Sequence, residues 1–177
     1  GDVRSTVIFK YFGGVSAAQA SLTDASLIEQ DTYRYGTKDS KVIDAAKMPL
    51  QTIAYLVGEA GFERVNFQQS YRSNKTIRST TLFFYDKAGV EVRADLADEE
   101  APIRRQDVYR NGTAGVDTGL GSLQSVSHLV GLSSEEKVDY QQNFRTNGDV
   151  RSTVIFKYFG GVSAAQASLT DASLIEQ

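Results

Sequence analysis

GDVRSTVIFKYFGGVSAAQASLTDASLIEQ occupies Gly1–Gln30 and recurs without one change at Gly148–Gln177. Gly1 becomes Gly148, an offset of 147 residues. Self-similarity at a fixed period marks a repeat architecture, in which each unit is one supersecondary element and neighbours bury its faces. An array needs identical blocks; an enzyme has no use for one at each end.

A weaker repeat lies inside that period. Arg4-Ser5-Thr6-Val7-Ile8-Phe9-Lys10-Tyr11 matches Arg78-Ser79-Thr80-Thr81-Leu82-Phe83-Phe84-Tyr85, an offset of 74. Gln30-Asp31-Thr32-Tyr33-Arg34-Tyr35-Gly36 matches Gln106-Asp107-Val108-Tyr109-Arg110-Asn111-Gly112, an offset of 76. Val65-Asn66-Phe67-Gln68-Gln69-Ser70-Tyr71-Arg72 matches Val138-Asp139-Tyr140-Gln141-Gln142-Asn143-Phe144-Arg145, an offset of 73. The unit is therefore about 73–74 residues long, and two diverged units make the 147-residue period. Residues 4–77 form repeat unit 1, 78–150 unit 2, and 151–177 a partial unit 3 identical to the start of unit 1. Residues 1–3 end a preceding unit, so both termini read as cuts through something longer.

Within one unit the pattern is β-rich. Val138, Tyr140 and Phe144 recur at even spacing, Asn147-Gly148 follows, and Val150–Phe159 is dense in β-branched and aromatic residues. Asn-Gly between two such runs is the strongest short hairpin signal, because both positions tolerate positive φ. The other copy carries Ser73-Asn74-Lys75-Thr76 at that turn, which predicts a looser turn or one of another type. Val7, Phe9 and Tyr11 alternate with Ile8 and Phe12, so this strand is expected to be covered on both faces. In Val15–Ile28, Val15, Ala18, Leu22 and Ala25 fall at helical spacing and predict a short helix. The matching Val90–Ile103 reads as a helical turn or a loop. Glu29–Tyr35 and Arg105–Arg110 read as a third strand, and Gln51–Val57 and Gln124–Val130 as a fourth. The expected fold is mainly β, or α+β with one short helix per unit, stacked as a tandem β-repeat array or solenoid.

Tyr85-Asp86-Lys87-Ala88-Gly89, followed by Arg93, resembles the Tyr-Asp repeat of bacterial Rhs proteins and teneurins. The resemblance covers about sixteen residues of a unit, and Tyr11-Phe12-Gly13-Gly14 in the first copy lacks the Asp. It implies a β-strand repeat of a giant secreted or surface protein with structural use, and it transfers no functional residue.

Composition narrows the classes. With 41% hydrophobic and 23% charged residues the chain is globular rather than disordered. A net charge of −3, with scattered Lys and Arg, argues against a nucleic-acid binder, which shows a basic patch. No apolar run reaches the roughly 18 residues of a membrane span. With no cysteine there are no disulfides, thiolate metal sites or cysteine nucleophile.

Individual residues offer little chemistry. His128 is the sole histidine and stands where the other copy has Tyr55, so it reads as a strand side chain rather than a general base. Asp98-Glu99-Glu100 and Glu135-Glu136 lack the alternating oxygen-ligand loop of a calcium site and read as solvated faces. Gln68-Gln69 and Gln141-Gln142, with Arg72 and Arg145, recur in both units. They read as an internal hydrogen-bond ladder in preference to a glycan-binding row. Asn74-Lys75-Thr76 and Asn111-Gly112-Thr113 fit the glycosylation acceptor pattern. Gly13-Gly14 and Gly119-Leu120-Gly121 are turns without a following P-loop lysine.

No catalytic, cofactor-binding or metal-binding residue is expected, and an enzyme is the least supported class. The leading expectation is a structural segment of a long extracellular or cell-surface fibre, stalk or adhesin. Its partners are neighbouring repeats of the same chain and neighbouring chains in a filament, with no nucleic acid and no membrane span. The alternative is a glycan- or partner-binding module on the same scaffold, favoured if Tyr33, Tyr35, Tyr55 and Tyr109 line a groove. A third reading makes the duplicated end a swapped strand competing for one site.

Overall fold

The computed structural model describes residues 3–170 and 174–176. The fold is mainly β. In chain order come β1 (Ser5–Tyr11), α1 (Ala17–Thr23), β2 (Leu27–Arg34), β3 (Leu50–Val57), β4 (Arg64–Tyr71) and β5 (Ile77–Lys87). There follow β6 (Val90–Arg93), β7 (Ile103–Arg110), β8 (Leu123–Val130), β9 (Lys137–Phe144) and β10 (Val150–Ile155). The last described elements are β11 (Lys157–Tyr158), α2 (Ala164–Thr170) and β12 (Leu174–Glu176). The strands run in an open ten-stranded sheet ordered β1-β2-β3-β4-β5-β7-β8-β9-β10, with β6 on β5, while β11 and β12 make a separate pair. Two compact units divide the chain: Gly1–Thr80 with Asn111–Leu120, and Thr81–Arg110 with Gly121–Gln177.

In the first unit β1, β2, β3 and β4 are antiparallel neighbours. Lys10 faces Glu29, Ile8 faces Asp31, and Asp31 in turn faces Ile53. The β2–β3 register steps between Thr32 and Tyr33, and the β3–β4 register between Tyr55 and Leu56. Each step is one residue, which redirects the pleat without ending the pairing. Buried Ala54 and Phe67 sit on these strands, Ile77 opens β5, and Met48 lies just before β3. The turn from β4 to β5 is closed by the Arg72 and Lys75 amides, with Lys75 at φ 65.

The second unit repeats these registers residue for residue. Arg105 faces His128 as Glu29 faces Tyr55, and Ser127 faces Gln141 as Ala54 faces Gln68. Its register steps, between Val108 and Tyr109 and between His128 and Leu129, fall at the counterpart positions. The Arg145 and Gly148 amides close its turn with the same two bonds, and Gly148 has φ 90. The two turns are therefore alike, and the looser turn expected at Ser73–Thr76 is not found. Lys75 adopts the left-handed conformation that Gly148 adopts more easily.

Three other expectations need revision. The α1 face is not Ala18 and Leu22: Ala20 is buried and Leu22 is 84% exposed. Ser16 caps the helix with Gln19 in a reciprocal capping box, and this fixes its start and thus its rotation. Val90–Ile103 is neither helix nor plain loop. It opens with β6, which pairs with β5 through the Ala88-Gly89 turn, both at positive φ, and then makes a 3-10 turn at Ala94–Leu96. Nor is the first strand covered on both faces: Phe9 is 50% exposed, and Phe12, just past β1, is 68% exposed.

The two copies of the thirty-residue block share their helix and a hairpin register. Lys10 pairs with Glu29 and Tyr11 with Leu27; Lys157 pairs with Glu176 and Tyr158 with Leu174. Surroundings separate them. α1 lies against β1, whereas α2 lies against β8, β9 and β11.

Candidate functional site

The most structured polar site belongs to the first unit and centres on Gln69. Its side chain is fully buried. Its amide nitrogen donates to the carbonyls of Thr113 (2.8 Å) and Val116 (3.2 Å) and lies 3.4 Å from Thr80 Oγ1. Its oxygen accepts from the Gly115 amide (3.1 Å) and the Tyr71 hydroxyl (3.2 Å). The middle of the loop 111–120 is thus held by the Gln69 side chain. Around it, Thr80 Oγ1 donates to the Asn111 carbonyl (2.9 Å), and Arg72 donates to the Ile77 carbonyl (2.6 Å) and to Asn111 Oδ1 (3.4 Å). A buried amide needs all its bonds satisfied, and this one is. The recurring glutamines accordingly include an internal hydrogen-bonding role at Gln69.

The second unit uses its glutamines differently. Gln142, the counterpart of Gln69, is only half-buried. Gln141 instead accepts from Ser127 (3.1 Å) and donates to Asn143 (2.9 Å), and Asn143 donates to Ser152 (3.1 Å). This polar chain crosses β8, β9 and β10.

A second feature is a pair of buried carboxylates at counterpart positions. Asp31 is 3% and Asp107 7% exposed, each mid-strand. In the first unit the Lys10 ammonium reaches Asp31 at 2.8 Å and also pairs with Glu29, and the Tyr33 hydroxyl donates to Asp31. Burial works against the Lys10 cation, but its bonds to Asp31 and Glu29 outweigh that and push its pKa above the ordinary lysine value. Burial and the Asp31 charge raise the Tyr33 hydroxyl. In the second unit the cation comes from the same strand. Arg105 Nε lies 3.0 Å from Asp107, its guanidinium also pairs with Glu91, and it sits 4.0 Å over the Phe84 ring. Burial raises the Asp107 carboxyl, and Arg105 opposes the shift without cancelling it.

The remaining candidates fall as follows. His128 stacks on Tyr140 at 4.4 Å between centroids, as Tyr55 stacks on Phe67 at 4.4 Å. It is a strand side chain, stacked as its counterpart Tyr55 is in the first unit. Among the groove candidates, Tyr55 is stacked, Tyr33 is tied to Asp31, Tyr109 is half-buried, and only Tyr35 is mostly exposed, at 54%. Asp98 pairs with Lys87 at 3.6 Å. Glu136 accepts from the Ile103 amide (2.9 Å) as Glu63 accepts from Leu27 (2.8 Å), so both tie down the start of a strand. Among the described residues no three His, Cys, Asp or Glu side chains gather where they could hold a metal ion, and no helix is long and apolar enough to cross a membrane. Asn74 accepts from Thr76 within an exposed turn.

No family model, curated protein or solved structure matches the chain. The site is therefore read from its own chemistry. Both carboxylates have cations beside them, and Gln69 binds its own chain. These groups place cations beside buried carboxylates and fix a loop. Sequence reasoning passed over Asp31 and Asp107, although the shared Gln-Asp pair with a Tyr two residues later marked both.

Proposed function

We propose that this chain is a segment of a tandem array of β-rich units, built into a long extracellular or cell-surface fibre, stalk or adhesin whose task is length and stiffness. One observation carries the reading: the registers and register steps of β2–β3–β4 recur in β7–β8–β9 at counterpart residues. Paired with the exact recurrence of thirty residues, this supports a unit that can be added repeatedly. The turn Ala88-Gly89, with the Asp86 carboxylate accepting from the Gly89 amide at 2.8 Å, is in keeping with the Tyr-Asp repeat resemblance. Side chains that bond inward favour a scaffold over catalysis, and we place an enzyme last.

The test is additive behaviour. Chains carrying successive 147-residue periods should lengthen by a constant increment in solution scattering and electron micrographs. A compact particle whose dimensions grow as a single globule would count against the proposal. A glycan array serves the competing binding-module reading, with specific retention as the outcome that would favour it.

A further inference from the structure

We infer that a cleft at one end of the first unit's strands binds an acidic oligosaccharide, whose carboxylate or sulfate groups are held by Arg34 and Arg78. The cleft has a volume of about 310 Å³ and lies where β2 and β4 end and β3 and β5 begin. These four strands are consecutive neighbours, and none is terminal in the sheet. Arg34 closes β2 and Arg78 is the second residue of β5, so an arginine stands at each side. Three strand spacings of about 4.8 Å separate the two backbones, which suits anionic groups spaced along a polymer better than one small ion. Gln51, Thr52, Ser70 and Ser73 line the space between them, and no Asp or Glu does. Both arginines are exposed, and neither guanidinium has an ion-pair or hydrogen-bond partner among the described residues. In the second unit, by contrast, Arg104 pairs with Asp86 at 3.2 Å and Arg105 with Glu91.

The lining selects the class of ligand. A guanidinium fork holds an oxyanion through two parallel hydrogen bonds. Hydroxyl and amide side chains beside it match the neutral hydroxyls of a sugar ring. A single-stranded nucleic acid needs aromatic faces in succession for its bases, and the cleft has one aromatic residue, Tyr71, whose hydroxyl donates to Gln69. The second unit carries the same frame. The Arg110 amide donates to the Ser122 carbonyl (2.9 Å) as the Arg34 amide does to the Pro49 carbonyl (2.9 Å). Ser125 faces Asn143 as Thr52 faces Ser70. Asn143 donates to Ser152 Oγ (3.1 Å) where the Ser70 and Ser79 hydroxyls bond at 2.7 Å. Arg110 and Arg151 stand at the positions of Arg34 and Arg78, exposed and likewise without a guanidinium partner among the described residues. Pro49, Ser70 and Tyr71 have become Ser122, Asn143 and Phe144, while both arginines stay. The site rests on the first unit's own geometry; an array of such units would offer it repeatedly, and avidity would follow.

The test uses the full chain, isotope-labelled, and reads binding site by site from amide shifts in NMR titrations. The probes are trigalacturonate, a sulfated chondroitin tetrasaccharide, neutral maltotriose and a thymidine tetranucleotide. At least one of the two acidic sugars should shift the amides of Leu50–Thr52, Ser70 and Tyr71, and which one binds tighter names the oxyanion. Maltotriose should leave these amides in place. Arg34→Gln/Arg78→Gln should weaken the binding about tenfold or more. Lys38→Gln/Lys41→Gln, which removes the same charge from an exposed loop outside the cleft, should change it less than about twofold. Should the double variant fail to fold, Arg34→Gln and Arg78→Gln singly should each weaken the binding. Silence of these amides toward both acidic sugars overturns the inference, as does equal binding of maltotriose or the tetranucleotide. Equal weakening by the lysine variant overturns it as well, since attraction to net charge would then be the cause. A constant length increment per added period would, in that event, leave the array reading standing.

Discussion

Replacing Gln69 with Leu should destabilise the first unit far more than Gln142→Leu destabilises the second. The two glutamines are counterparts, but their surroundings differ. Gln69 is fully buried and holds Thr113, Gly115 and Val116, while Gln142 is half-buried. Leucine keeps the volume and removes the amide, leaving two carbonyls and one N–H of the loop without their partner. A buried polar group without a partner costs about 1–3 kcal/mol. The loop residues themselves are largely exposed, so water recovers part of this. About 1 kcal/mol per group gives a loss of about 2–4 kcal/mol for Gln69→Leu, against less than about 1 kcal/mol for Gln142→Leu. Urea unfolding should show the midpoint fall with little change in slope. Hydrogen exchange should show the Gly115 amide losing protection. Equal destabilisation by the two substitutions, or a Gly115 amide still protected in Gln69→Leu, would refute the clamp.

Gly112→Ala should cost more than Gly148→Ala in thermal melts, because at φ 142 a Cβ would come within 2.4 Å of Thr80 Oγ1, whereas Gly148 at φ 90 has open space around it. Gly148→Ala should cost about 1–2 kcal/mol from backbone strain alone. Lys10→Met should lower stability by about 1–3 kcal/mol, below the cost of breaking a fully buried pair, because the Lys10 side chain is 48% exposed. That Lys10 contribution is fully present below the ordinary lysine pKa and is lost as pH rises through its higher folded value, so wild type and Lys10→Met should converge at strongly alkaline pH. The Asp107 carboxyl is raised in the folded state, so its protonated form is the stabilising one and stability falls as pH climbs from the ordinary aspartate range through the folded value. Asp107→Asn should flatten that fall in denaturation curves taken across the acid range, and an unchanged slope would dismiss it.

Strands and turns were legible because they follow local rules. Alternation in Val138–Phe144 and the Asn147-Gly148 turn announced β9 and β10, and the internal repeat transferred that reading to β4 and β5. The helix face was misjudged because Leu22 outweighs Ala20 in hydrophobicity, whereas close approach of the helix selects the small side chain. The turn at Lys75 was misjudged because residue preference at positive φ is a bias, and the strands on either side enforce the geometry. Asp31 escaped notice because carboxylates are seldom buried without a partner, and its partner Lys10 is contributed by another strand. The recurrence of Gln69 was visible, but the backbone it holds lies 44 to 47 residues further on, a distance no local pattern encodes. Function was the least legible, since among the described residues the buried polar groups of both units bond within the fold.

An array of this kind grows by adding one unit after another. That growth is tested most directly by the contour length of chains with one, two and three 147-residue periods, measured by electron microscopy on molecules of equal concentration. A straight line of constant increment per period is expected. Particles that stay globular, or periods that behave as beads with no fixed spacing, would contradict it.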